Sequence, residues 1–175
     1  MPFQIVRFDA FTRHLLPQVQ EPFEVIGRLI PTYDGHAWSL REELFDTPRI
    51  KTYPNEAFDP AVYIDNPDEA AFLAMCDGKR VGSIRVGVRW NQNAFIDDLL
   101  VARAHRGCGA GTQLMDAAVA WGRGRGLQGV SLETQDTNLL ACRFYMKYGF
   151  RLGGIDRMVY TAEGYREETA LYFYL

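Results

Sequence analysis

Arg106-Gly107-Cys108-Gly109-Ala110-Gly111-Thr112, preceded by Asp97-Asp98-Leu99-Leu100-Val101 and followed by Gln113-Leu114-Met115, decides how the rest of the chain is read. The stretch runs from an apolar strand through a glycine-rich loop into a helical period. Leu114, Met115, Ala118 and Trp121 recur at three- and four-residue spacing, which predicts a helix from Gly109 to about Arg123, ended by the Gly122, Gly124, Gly126 cluster. Three glycines let backbone N–H groups converge on an anion without obstruction by side chains. The helix start adds about half a positive charge, and Arg106 adds a full one, so the loop is a candidate diphosphate site. A glycine-rich strand-to-helix turn holding no ligand stays open as the alternative. Two familiar phosphate motifs fail here: no lysine stands where G-x-x-x-x-G-K-[ST] requires one, and Gly107, Gly109 and Gly111 give G-x-G-x-G rather than G-x-G-x-x-G.

Outward from the loop, Phe72 to Cys76 is an apolar run, Asp77-Gly78 a tight-turn signal, and the return run alternates. Ile84, Val86, Val88 and Trp90 are expected on one face with Arg85 and Arg89 on the other, a half-buried antiparallel hairpin. After Asn91-Gln92-Asn93 a third strand, Ala94 to Val101, carries Asp97 and Asp98 at its centre. As neighbours on a strand these should point to opposite faces, so only one is expected to face a given cleft. C-terminal to the helix, Val130 to Gln135 reads as a strand, Asn138 to Tyr148 as a helix closed by Gly149, and Glu168 to Leu175 as an aromatic-rich strand. In the N-terminal third, Gln4 to Phe8 and Phe23 to Ile30 read as short strands, with a hairpin near Asp34-Gly35 and loops at Pro17, Pro22, Pro54 and Pro60. The fold class is α/β (α+β), a mixed, mostly antiparallel sheet flanked by helices, in one domain spanning 1–175.

Composition narrows function. The 175 residues are 47% apolar and 23% charged, enough for a globular core without a metal or disulfide staple. Nineteen basic against 22 acidic residues leave a formal charge of −3, a poor match to a polyanion and a better one to a cation. Nucleic acid is therefore not an expected partner, and a small cationic substrate is. Cys76, Cys108 and Cys142 are odd in number and lack C-x-x-C spacing, so they read as thiols in a reducing compartment. No apolar run approaches the roughly 18 residues of a membrane span, and the start Met1-Pro2-Phe3 lacks a signal-peptide core. A cytoplasmic protein without membrane association is expected, and a homodimer is left open.

Arg106, Gly109 and Gly111, following the strand Asp97 to Val101, resemble the R-x-x-G-x-G signature of the GNAT superfamily of acyl-CoA-dependent N-acetyltransferases. Asn138-x-x-Ala141-x-x-x-Tyr145-x-x-x-Gly149-Phe150 resembles that family's second cofactor and catalytic segment, in the right order around one strand. Similarity to the streptothricin N-acetyltransferase subfamily runs through Leu132 to Asn138, Ala141 to Tyr145 and Phe150 to Asp156, and extends to Pro22 to Val25, Glu42 to Phe45 and Glu168 to Tyr174. One departure is Ala110, where the family more often has a branched aliphatic residue.

The resemblance implies a GNAT fold with acetyl-CoA as donor and no metal. Pantetheine would run along Leu99, Leu100 and Val101, and the diphosphate would lie on Gly107, Cys108, Gly109, Ala110, Gly111 and Thr112 beside Arg106. Asn138 and Ala141 would complete the cofactor site, although an Asn138 that merely caps its helix would look identical in sequence. An alkyl amine with a pKa of about 10.4 costs about 4.6 kcal/mol to present neutral at pH 7, so a base is needed. Glu133 matches by position the glutamate that some relatives use, and alternation places it with Ser131 and Gln135; a carboxylate satisfied by a neighbouring arginine stays open. Asp97, Asp98 and Glu133 are candidate substrate contacts. A backbone N–H of the Leu99 to Val101 strand would stabilise the oxyanion, and Tyr145 would protonate the leaving thiolate. Direct transfer to an amine in a ternary complex is expected, with Cys142 not a nucleophile because no motif links it to His14, His36 or His105. The acceptor is expected to be the β-lysine amine of streptothricin. Another amine, or a non-catalytic acyl-CoA-binding module, stays open.

Overall fold

The structure, a computed structural model, describes residues 3–16, 21–53 and 58–175. Pro17, Pro54 and the Met1-Pro2 start, each read above from sequence, lie outside the described residues. In chain order the strands are β1 (Gln4–Arg7), β2 (Phe23–Tyr33), β3 (Trp38–Lys51), β4 (Glu69–Cys76), β5 (Lys79–Val88), β6 (Asn93–Val101), β7 (Gly129–Gln135), β8 (Arg151–Asp156) and β9 (Ala170–Tyr174). The helices are α1 (Ala110–Gly124) and α2 (Leu139–Tyr148). They fall into two compact units, Met1–Glu21 with Tyr53–Val130, and Pro22–Thr52 with Ser131–Leu175. The α/β class with antiparallel strand pairs and helices, expected from sequence, is found in both.

In the first unit β1, β4, β5 and β6 pair antiparallel in that order. Asp77 and Gly78 both take positive φ, +48° and +72°, the backbone that a two-residue hairpin turn with right-handed strand twist demands. The expected faces of β5 hold for Ile84 and Val86, which lie across from Phe72 and Ala70, but two expectations fail. Trp90 falls beyond the end of β5 and is 94% exposed. The strand is also not half-buried, because both its faces are covered. Leu114, Met115 and Ala118 of α1 are fully buried and pack on β4, β5 and β6. On the opposite face Phe8, Leu16, Tyr63, Ala71 and Leu73 form a second apolar cluster flanked by Phe58. Periodicity reports what a strand presents, not what the chain later brings to cover it.

In the second unit β9 lies between β7 and β8, antiparallel to both. The long β2–β3 hairpin turns at Asp34-Gly35 as expected, with Tyr33 opposite Trp38. Most of β3 is exposed, so it carries no apolar alternation and had no boundaries in the sequence reading. β2 packs on α2, and Leu29 N–H donates to Asp136 O at 2.9 Å. Arg143 of α2 grips Glu42 of β3 through Nε and Nη2 at 2.9 and 2.6 Å, which holds the Glu42 carboxyl below its usual range. A more deeply buried tie joins the same parts: Lys51 at the end of β3 pairs with Glu168, and Thr137 Oγ1 donates to Glu168 at 3.0 Å.

Candidate functional site

The 106–112 loop in the first unit has the backbone that an anion cradle needs. Gly109 starts α1 at φ +92° with no side chain capping the helix, and Gly107 sits at +74°. A Cβ at Gly107 would meet open space, and one at Gly109 would touch Gln113 Nε2 only at 4.0 Å, so both glycines border unobstructed space beside the first turn. Those first-turn N–H groups have no intrahelical partners, which fits a diphosphate. Cys108 is exposed with its thiol 3.6 Å from Arg106 O, Gly111 and Thr112 follow in the first turn, and the Ala110 methyl is buried. Arg106, expected to set a full charge beside the loop, also has a structural part. Its Nε donates to Val101 O at 2.9 Å and its Nη2 lies 3.8 Å from Glu21, so it fastens the loop to the end of β6.

The opposite-face expectation for Asp97 and Asp98 is overturned. Asp98 pairs with Arg85 across the ladder and Ile96 with Val86, leaving Asp97 as the extra residue of a β-bulge. The bulge cancels one step of the alternation, and both carboxylates reach arginines on one side of the sheet, Arg85 within β5 and Arg89 just past its end. Asp98 lies 3.7 Å from Arg85, while Asp97 is ion-paired to Arg89, which also holds Glu69 at 3.2 Å. Arg85 itself stacks on Phe58 at 4.2 Å and meets Tyr63 Oη at 3.3 Å. Burial pushes the carboxyls of Asp97 and Glu69 up against the opposing pull of Arg89. Three carboxylates thus face two guanidinium groups. Leu99, Leu100 and Val101 complete β6 across from Ile84, Ser83 and Gly82.

In the second unit Glu133 lies directly opposite Tyr172, and Leu132 opposite Phe173. Tyr145 packs against Phe173 with ring centroids 6.2 Å apart, on the buried side, with Phe144 and Phe150 at 5.4 and 5.9 Å. The structure therefore holds Glu133 on the Tyr172 face and anchors the Tyr145 ring on the Phe173 face. Glu133 accepts a hydrogen bond from Tyr160 Oη. Tyr160 was absent from the sequence reading, since it lies 27 residues away in a stretch with no period. Tyr172 was missed as well. Burial, then the charges of Glu133 and Asp156, push its phenol above the usual value. The phenols of Tyr160 and Tyr172 lie against Glu133 on this face.

Asn138 caps α2, accepting from Ala141 N–H at 3.4 Å. Cys142 is fully buried, donates to Gln135 O at 3.7 Å, and its thiol is pushed up to about 12, by burial first and then by the Asp136 charge. Burial keeps the Cys142 thiol protonated and packed as a small core side chain. Iodoacetamide at pH 8 should label exposed Cys108 and spare Cys142, as read by peptide mass mapping; comparable labelling of both would contradict the burial. Among the described residues no group of three or more His, Cys, Asp or Glu could hold a metal ion, and no helix is long and apolar enough to cross a membrane.

Comparison with known proteins bears on this arrangement. Residues 37–150 match the model of the acetyltransferase (GNAT) family. Streptothricin acetyltransferase A of Bacillus subtilis (strain 168) is 37% identical over 154 residues, 88% of each chain. Streptothricin acetyltransferase of Escherichia coli is 42% identical over 108 residues, 61% of this chain and 62% of that one. Among solved structures, a Bacillus anthracis (strain Ames) protein assigned as a streptothricin acetyltransferase, in complex with acetyl coenzyme A, superposes with a TM-score of 0.90 at 30% identity, covering 100% of this chain and 98% of that one. Nourseothricin acetyltransferase superposes at 0.83 with 28% identity over the same shares.

Proposed function

This chain belongs to the GNAT acetyltransferase family, and from that premise we propose that it acetylates an amine of streptothricin, on the β-lysine moiety, by direct transfer within a ternary complex. It is an acetyl-CoA-dependent N-acetyltransferase. The observation that carries the choice of acceptor is the 37% identity to a streptothricin acetyltransferase along 88% of both chains, far beyond the cofactor motifs. An acidic chain and a carboxylate set among phenols also suit a polycationic acceptor.

Acetyl-CoA supplies the activated acetyl group. The chain's own part divides by unit. In the first, the N–H groups at Gly107 to Thr112 bind the diphosphate, Arg106 holds the loop to β6, and the backbone of Leu99 to Val101 aligns the pantetheine. Asp97 and Asp98 support Arg85 and Arg89 and leave that face short of positive charge, which favours an ammonium group nearby. In the second unit Asn138 and Ala141 set the start of α2, Glu133 takes the proton of the acceptor ammonium, and Tyr145 keeps a phenolic proton for the sulfur. Both units serve one catalytic domain. We place the reaction in the cytoplasm, where Cys76, Cys108 and Cys142 remain free thiols.

Following thiol release from acetyl-CoA over streptothricin, aminoglycosides, polyamines and peptides tests the assignment. Streptothricin should give the highest kcat/KM by at least about tenfold. A better acceptor elsewhere in the panel would replace streptothricin, and acetyl-CoA binding without turnover on any acceptor would make the chain a binding module.

A further inference from the structure

Tyr160 reaches Glu133 from the segment between β8 and β9, whose anchoring does not depend on that contact. At its start, Asp156 Oδ1 accepts from Met158 N–H at 2.7 Å. Its middle is closed by Tyr165 N–H to Ala162 O at 3.1 Å and by Arg166 Nε to Thr161 O at 2.9 Å. Its end is held by Glu168, paired with Lys51, whose Nζ also lies 4.7 Å from the Tyr165 ring centre. A segment fastened at three points presents the Tyr160 hydroxyl to one oxygen of Glu133. We propose that Tyr160 is a positioning residue that fixes the Glu133 carboxylate and holds it ionised, so that it is ready to take a proton from the acceptor amine over a wider pH range. The proposal rests on the reading of Glu133 as the base.

The physical ground is the surroundings of Glu133. Tyr172 faces it directly from β9, with Asp156 and Tyr174 acting on the same phenol. Partial burial opposes a negative charge at Glu133, whereas a donated hydrogen bond favours it. Tyr160 donates its hydroxyl to that carboxylate. Removing the hydroxyl while keeping the ring should therefore leave Glu133 protonated to higher pH.

Tyr160→Phe, made in the full chain, tests this by two measurements. The carboxyl carbon of Glu133, assigned by its disappearance in Glu133→Gln, is titrated by 13C NMR; its midpoint should rise by about half to one pH unit in Tyr160→Phe. The acid limb of the kcat/KM profile should rise by the same amount, a loss of about threefold to tenfold below the limb, with the alkaline plateau within about twofold of the parent. An unmoved midpoint overturns the proposal. A plateau that falls as far as the acid side also overturns it, because a fold or binding defect lowers both. A midpoint that rises while the limb stays put upholds the hold of Tyr160 on Glu133 and removes Glu133 as the base.

Discussion

Tyr145→Phe should lower kcat by about a hundredfold while acetyl-CoA affinity stays within about twofold. The ring of Tyr145 is the shared member of an aromatic cluster with Phe144, Phe150 and Phe173, and residue 145 is only 9% exposed. Phenylalanine fills the same space, so the cluster and α2 remain packed, and a change in turnover reports the hydroxyl. General acid catalysis contributes about 10²- to 10⁴-fold. The lower end applies because a thiol of pKa about 8.5 is already a fair leaving group. Steady-state kinetics with direct calorimetry of acetyl-CoA binding separates the two quantities; full turnover in the variant would remove Tyr145 as the acid.

Glu168→Ala should destabilise the protein by about 3 kcal/mol. The Glu168 side chain is 5% exposed and that of Lys51 13%, and removing one partner of a buried ion pair costs about 3–5 kcal/mol because the other charge is left uncompensated. Lys51 keeps some solvent, which sets the lower end. Thr137 also loses its acceptor, next to the Asn138 cap of α2. At about 2–4 °C per kcal/mol for a chain of this size, the midpoint of thermal unfolding should fall by about 6–12 °C. Glu168→Gln, which retains an acceptor for Thr137, should lose less. A midpoint within 2 °C of the parent for Glu168→Ala, a change of about 1 kcal/mol or less, would show that the tie does not hold the hairpin.

Much of this was legible locally. The glycine loop, α1, α2 with its Asn138 cap, and the Asp77-Gly78 turn are each encoded within a few residues, by positive-φ positions and a 3.6-residue period. β3 was not, because a strand exposed along most of its length needs no apolar alternation. Trp90 continued an alternation after the strand itself had ended at Val88. The faces of Asp97 and Asp98 were misassigned because a bulge is a property of two strands in register, invisible in either one alone.

By itself, the chain's order of residues determined the glycine loop, the two helices and the family, since backbone conformation and short-range spacing write these into contiguous stretches. Partnerships between distant side chains were decided only when the chain folded: Tyr160 with Glu133, Lys51 with Glu168, Arg143 with Glu42, and two neighbouring aspartates with two arginines of one face. Each depends on strand register or on a loop returning across dozens of residues, and the free energy that selects it comes from burial and charge pairing that no local window contains.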